Sequence, residues 1–174
     1  MPFVSITRLR VRSWQYLPAF FLAAFRSALQ ARYARGNLGV SVLREARNTF
    51  WTRSLWIDEP AMKAFMVSGA HRPIMRRLLE WCDEASVAHW TEDSAQKPTW
   101  EEVHRRMQRD GRPSRVNYPS EAHRRFDISA PQCASHRAAL QVIVPLELRW
   151  AVNRLETWWT APTQHHRAVE ASGL

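Results

Sequence analysis

The chain has 174 residues, and its 25 lysines and arginines outnumber its 16 aspartates and glutamates, which gives a formal net charge of +9. A hydrophobic fraction of 45% and a charged fraction of 24% are typical of a folded domain and exclude a wholly disordered chain. The longest apolar stretch, residues 17–25, is too short to span a bilayer.

The first two predicted elements are a strand and a long helix. Residues 3–11 mix β-branched and apolar side chains without glycine or proline, which predicts a strand covered on both faces. Ser13 is the expected N-cap of the helix, and Gly36 with Asn37 is its stop signal. Between these residues we expect one apolar stripe that faces the core, formed by Trp14, Leu17, Phe20, Phe21, Ala24, Phe25, Ala28 and Leu29.

A hairpin follows in the predicted order. Residues 39–45 and 50–57 alternate between two side-chain sets, and a turn near residues 46–48 separates them. Two such runs with a short turn between them are typical of an antiparallel strand pair.

A second helix and a last strand complete the predicted domain. The helix begins after Asp58, with Pro60 in its first turn, and is interrupted at residues 68–69 before it resumes to residue 82. Residues 86–91 predict a short strand. The order β-α-β-β-α-β is the ferredoxin-like arrangement of the α+β class, an antiparallel sheet with both helices on one face.

The second half of the chain has a different pattern. A short amphipathic helix is expected between Thr99 and Gly111, a proline-rich stretch follows, and helical spacing returns near residue 135. We therefore divide the chain into a ferredoxin-like domain (1–95), the short helix (96–111), a linker (112–134), a mostly helical C-terminal extension (135–160) and a frayed tail (161–174).

The sheet face without helices is also apolar in this prediction. Strand residues such as Trp51, Leu55 and Ile57 alternate with Phe50 and Trp56, so both faces carry large side chains. An exposed apolar face of this size is usually a partner surface. We expect a homodimer through this open sheet face, and the alternative is that the C-terminal helix covers the face within one chain.

Residues 49–65, followed by Ser68, Gly69, Ala70 and His71, resemble the signature region of the antibiotic-biosynthesis-monooxygenase-like superfamily. Its members share a strand ending in Trp, a turn, a helix with Ala and Phe, and then Ser-x-x-His. The resemblance covers residues 3–93. Within the superfamily, the chain is similar to a monooxygenase-like branch. It implies a dimeric α+β barrel with a small-molecule pocket between the helices and the sheet of each protomer.

The superfamily includes cofactor-independent quinol-type monooxygenases and haem-degrading enzymes, so the resemblance implies an aromatic or polycyclic substrate. The haem-degrading branch uses an Asn on its first strand and a Trp in its second helix, where this chain has Thr7 and Phe65. The chain therefore departs from that mechanism, and we predict no cofactor. Binding of haem or another flat hydrophobic ligand by a non-catalytic dimer is the second interpretation.

His71 is the candidate catalytic residue. It lies at the break in the second helix, four residues before Met75 and seven before Leu78, which predicts a shared inward face. A neutral imidazole there could accept a proton from a phenolic substrate or ligate iron. The structural alternative is that it caps the resumed helix or bonds a backbone carbonyl. His89 is a weaker candidate, because its face depends on the strand register.

The predicted substrate pocket combines aromatic, sulfur-containing and polar side chains. Aromatic rings favour a planar ligand, although the same spacing is typical of an ordinary core. An arginine between apolar strand residues could orient an anionic ligand or lie at the sheet edge. The predicted lining residues are Thr7, Phe25, Arg53, Trp56, Met62, Phe65 and Met75.

Several other functions have little support in the sequence. Cys82 and Cys133 are isolated thiols, and the histidines at 136, 165 and 166 have no acidic or thiol partners at ligand spacing, so no metal site is predicted. The arginine excess forms no run of five like charges, so nucleic-acid binding remains a lesser alternative. No signal peptide is recognisable, and we expect a cytoplasmic protein.

Overall fold

The computed structural model describes residues 1–130 and the backbone of residues 139–141. The elements, in chain order, are β1 (Phe3–Val11), a 3₁₀ turn (Trp14–Tyr16), α1 (Leu17–Tyr33), β2 (Asn37–Glu45), β3 (Thr49–Trp56), α2 (Glu59–Met66), α3 (His71–Trp81), β4 (Cys82–Thr91), α4 (Trp100–Asp110), β5 (Arg112–Pro113), α5 (Glu121–Arg125) and β6 (Ala139–Gln141).

The strands form one antiparallel sheet in the order β5-β4-β1-β3-β2-β6. The predicted α+β class and the β-α-β-β-α-β order of the first half are confirmed. The hairpin turns where expected, because Arg47 and Asn48 adopt left-handed backbone angles between β2 and β3. No helix in the described part of the chain is both long and apolar enough to cross a membrane.

Helix α1 packs on the sheet through a face that matches the predicted stripe only in part. Its buried residues are Phe20, Ala23, Ala28 and Ala31, whereas Phe21 and Phe25 are exposed. The helix is apolar on two sides, and the alanine-rich side allows its backbone to approach the strands closely. Ser13 precedes the 3₁₀ turn, and its side chain makes no capping hydrogen bond.

The second helix is divided as predicted. Asp58 caps α2 by accepting a hydrogen bond from the backbone N–H of Ala61 at 2.8 Å. Gly69 has a φ of +51°, a left-handed conformation that interrupts the helix before α3. Helix α3 buries Leu78 and Trp81, so the predicted inward position of Met75 is wrong: Met75 is exposed.

The opposite sheet face is covered by the chain itself. Thr99 caps α4 through the N–H of Glu102, and the helix places Val103 and Met107 on this face with no exposed surface. They belong to a core cluster made of Val4, Ile6, Leu43, Trp51, Leu55, Ala88, Trp90, Val103, Met107 and Ile128. The face on which the homodimer prediction depended is therefore not open over this cluster, and the dimer itself stays a prediction.

Residues 112–130 differ from the predicted linker, because they pack along the β4 side of the sheet. β5 pairs with β4 through Val87 and Arg112, and the N–H groups of Ser114 and Ser120 donate to the carbonyls of Ala85 and Asp83. Two apolar side chains of this segment, Val116 and Ile128, are buried. Apolar anchors and backbone hydrogen bonds fix the segment despite its prolines.

Much of the predicted C-terminal region lies outside the described residues. This applies to residues 131–138 and 142–174, and so to the end of the linker, most of the helical extension and the tail. The described exception is Ala139–Gln141, which pairs with β2 as an edge strand where the sequence predicted helix.

Candidate functional site

The helices α1, α2 and α3 contact the sheet mainly at its two ends. At one end, buried residues of α1 and α3 pack on the strands, in a cluster that includes Phe20, Phe50, Leu78, Trp81 and Ala85. At the other end, α1 and α2 form a second cluster with Phe3, Ala31, Val40, Trp56 and Met62. The middle of the helix-facing sheet surface lies between these clusters.

None of the side chains at this middle position is buried, although the strands are central in the sheet. The register pairs Thr7 with Thr52 and Val87, and it pairs Ser5 with Ser54 and with His89. Neighbouring strands cover the edges of these residues, so their partial exposure indicates a gap beneath the helices. We call this gap the helix–sheet cleft, and its floor is formed by Ser5, Thr7, Val42, Thr52, Ser54, Val87 and His89.

The floor combines hydrogen-bonding groups with short apolar side chains. Ser and Thr hydroxyls both donate and accept hydrogen bonds, and an imidazole can do either according to its protonation. Val42 on β2, Val87 on β4 and the aromatic rings at the end of the cleft supply apolar surface. This composition is suited to a small ligand with an apolar body and a few polar oxygens.

An aromatic stack leads from the helix break to the cleft floor. The ring of His71 lies 4.7 Å from that of Phe65, which in turn stacks on Trp56 at 5.2 Å with 29° between their planes. The Trp56 indole donates to the Ser54 hydroxyl at 3.0 Å, and that hydroxyl donates to the Ser5 carbonyl at 3.3 Å. Three predicted site residues are thus linked to the polar floor.

The tautomer of His71 follows from its hydrogen bond. Its Nδ1 lies 3.1 Å from the Met66 carbonyl oxygen, and because a carbonyl can only accept, Nδ1 carries the proton. Nε2 is then the unprotonated nitrogen. Burial lowers the pKa of His71, and the Met66 hydrogen bond opposes this only in part, so the ring is neutral at pH 7. The same contact is the structural role named as the alternative for this residue.

His89 lies on the cleft side of β4, a position that the sequence pattern left open. Its ring is 5.8 Å from Phe3. Burial lowers the pKa of His89, and the nearby charge of Arg112 lowers it further. The candidate site therefore contains two neutral imidazoles, one on the floor and one at the helix break.

The structure brings only part of the predicted pocket together. Thr7, Trp56, Met62 and Phe65 all lie on the helix-facing side of the sheet. Phe25 is 55% exposed on the outer side of α1, and Met75 is exposed on α3.

Arg53 lies on the opposite face, where its guanidinium donates to the Pro98 carbonyl and stacks 4.4 Å from the Trp100 ring. Burial lowers its pKa. The remaining floor residues, such as Ser5, Thr52 and Ser54, were not among the residues predicted from the sequence. Their alternate positions on two predicted strands are the signal that could have placed them on one face.

The chain matches a family model and resembles solved structures in fold. No curated protein sequence matches it. A family model described as a domain of unknown function (DUF3291) matches residues 25–114, just over half of the chain. The chain belongs to the DUF3291 family. The matched residues of this DUF3291 chain run from α1 through α4 to β5 and include the whole α2–α3 break.

Solved structures resemble the DUF3291 chain in fold at low sequence identity. Rv0793 from Mycobacterium tuberculosis is 14% identical with a TM-score of 0.50, and the match covers 55% of this chain and all of that one. A putative antibiotic biosynthesis monooxygenase from Nitrosomonas europaea is 16% identical (TM-score 0.48; 53% and 90% covered). SnoaB, a cofactor-independent oxygenase from Streptomyces nogalater, is 19% identical (0.45; 53% and 94%). The match to Rv0793 agrees with the predicted α+β fold.

Proposed function

We propose that the helix–sheet cleft binds a small, flat aromatic molecule and that the protein oxygenates it with His71 as the base. The observation that carries this proposal is the partly exposed polar floor beside the Trp56–Phe65–His71 stack. The monooxygenase-like fold agrees with this reaction class but does not identify it.

The chemistry of the cleft favours a phenolic or quinol-type ligand. The aromatic stack supplies an apolar surface for a planar ring. Hydroxyls of Thr7 and Thr52 can hydrogen-bond ring oxygens from below. Binding on this floor would hold the ring close to His89 and at the end of the stack that leads to His71.

The proposed reaction needs a base and molecular oxygen. The Nε2 of His71 takes a proton from the acidic C–H or O–H of the bound substrate, which leaves an electron-rich anion. In an anthrone-type substrate, the CH₂ group and O₂ become a carbonyl and water: one oxygen atom enters the product, and the other leaves with the two hydrogens. The hydroxyls of the floor would stabilise the negative charge on the ring oxygen.

Replacing His71 by glutamine is expected to lower turnover of anthrone by about 10²–10⁴-fold, the usual contribution of a general base. Because the pKa of His71 is lowered, wild-type activity should fall only as the pH drops below about 6.5, the ordinary histidine value. Oxygen uptake and quinone absorbance measure both effects. This fall of activity at low pH, the acid limb of the pH profile, should be absent in the variant.

Matched variants separate this role from a general loss of structure. His123→Gln changes a histidine of α5 whose backbone N–H is held by Ser120, and it should leave turnover unchanged. His89→Gln tests the floor imidazole. The proposal fails if the wild type neither binds nor oxidises anthrone or hydroquinone, or if His71→Gln keeps the same acid limb.

Haem is the second ligand class, because a neutral imidazole with a free Nε2 can bind iron. A Soret shift on haem titration that is lost in His71→Gln, without any turnover, would favour a binding protein. No spectral change with micromolar haem would contradict this candidate.

A further inference from the structure

Helix α1 exposes its largest apolar side chains. Leu22 and Phe25 lie on the side of α1 away from the sheet, Phe21 lies at the margin of this side with its ring 5.3 Å from that of Phe50 on β3, and Trp14 is exposed in the preceding 3₁₀ turn. Leu22 is 62% exposed and Trp14 is 79% exposed. We call these four residues the outer patch. Its large exposed side chains follow one another along one helix side, which is typical of an interaction surface.

Helix α3 lies beside α1. The side chain of Gln30 joins α1 to the α2–α3 break, since its amide donates to the Ser68 carbonyl at 3.0 Å and its oxygen accepts from the N–H of His71 at 3.0 Å. Met75 of α3 is exposed as well. The outer patch therefore belongs to a helical layer with further exposed apolar surface.

The charged side chains of the helix that carries most of the outer patch have one sign. The chain contains no aspartate or glutamate before Glu45, so every charged side chain on α1 is an arginine. Arg26 of α1 and Arg72 and Arg76 of α3 are exposed, and in the described part of the chain none of them has an ion-pair partner. The outer patch thus shares its own helix with one unpaired cation, Arg26, and two more lie on the neighbouring helix α3.

We infer that the outer patch binds the surface of an anionic membrane. Aromatic and aliphatic side chains of an amphipathic helix insert into the headgroup region, and adjacent arginines pair with anionic lipids. A second copy of the chain fits this surface less well, because it would place Arg26 near another array of unpaired arginines. The charge pattern therefore selects an anionic lipid surface over self-association.

The test is co-sedimentation of the full chain with vesicles. The protein should sediment with vesicles that contain phosphatidylglycerol, should remain in solution with pure phosphatidylcholine vesicles, and should be released by salt. Replacing both Leu22 and Phe25 by serine should weaken binding at least about tenfold, since it removes inserted apolar surface. Each of Arg72→Gln and Arg76→Gln should weaken it about fivefold.

Control variants lie outside the outer patch. Tyr118→Ser removes an exposed aromatic residue outside the helical layer, and Arg124→Gln removes an exposed cation of α5 that pairs with Glu121. Both should bind vesicles like the wild type, and circular dichroism should show that all variants fold. Equal weakening by control and patch variants would overturn the inference, as would absence of binding. A wild-type dimer without vesicle binding that the Leu22 and Phe25 substitutions split into monomers would overturn it in favour of self-association.

Discussion

Replacing Glu84 by glutamine is expected to lower the free energy of unfolding by about 3–5 kcal/mol, the usual cost of removing one partner from a buried ion pair. Glu84 is 2% exposed and bridges two arginines, Arg8 and Arg10. It also accepts a hydrogen bond from the Ser120 hydroxyl at 3.0 Å. Without its charge, the buried guanidinium of Arg8 has no counter-ion, and chemical denaturation measures the loss.

An exposed pair provides the control for this prediction. Glu59→Gln breaks the ion pair with Lys63, whose side chains are both largely exposed, and should cost less than about 1 kcal/mol. Adding Arg8→Met to Glu84→Gln should recover part of the stability, because it removes the uncompensated charge. If Glu84→Gln costs no more than Glu59→Gln, the buried network does not stabilise the fold.

Replacing Met107 by alanine is expected to cost about 2–5 kcal/mol, the range for truncating a fully buried methionine. Met107 is 0% exposed, because α4 presses it onto the sheet face opposite the cleft. Thermal or denaturant unfolding of the full chain measures the loss.

A second methionine on a helix provides the matched comparison. Met75 is 43% exposed on α3, and its replacement by alanine should change stability by less than about 0.5 kcal/mol. Equal effects of the two substitutions would mean that α4 does not cover the sheet in solution. In that case the sheet face would be exposed, and a homodimer through this face would again be expected.

The order of the elements could be predicted because each has its own period and stop signal. Alternating residues on β2 and β3, the left-handed turn at Arg47 and Asn48, and the Asp58 cap are local features. Local features depend on neighbouring residues, which the sequence displays directly. The break between α2 and α3 was predictable for the same reason, since Gly69 lies within it.

Choices between two competing surfaces could not be predicted from local patterns. Helix α1 has two apolar sides, and only packing against the strands decides that Ala28 and Ala31 are buried while Phe25 is exposed. Similarly, α4 covers Trp51 through a long-range contact. No local pattern in β3 or in α4 predicts that these two segments pack together. For this reason an open sheet face was predicted from the sequence, whereas in the structure α4 covers this face.

The candidate site was predictable mainly in its aromatic part, together with Thr7 and Met62. Trp56, Phe65 and His71 belong to the stretch that resembles the superfamily signature, and the structure brings them into one stack. The other hydroxyls of the floor, those of Ser5, Thr52 and Ser54, were missed because serine and threonine on a strand usually indicate a solvated face. Their role emerges only from the register that aligns Thr7 with Thr52 beneath the helices.

The most direct test of the proposed site is amide NMR of the full chain during titration with anthrone and hydroquinone. Binding in the helix–sheet cleft should shift the backbone signals of Thr7, Thr52 and Val87, which are neighbours on the floor. Signals of Val103 and Met107, beneath α4 on the opposite face, should not move. Shifts confined to that opposite face, or no shifts at any concentration of either compound, would contradict the assignment of the cleft as the binding site.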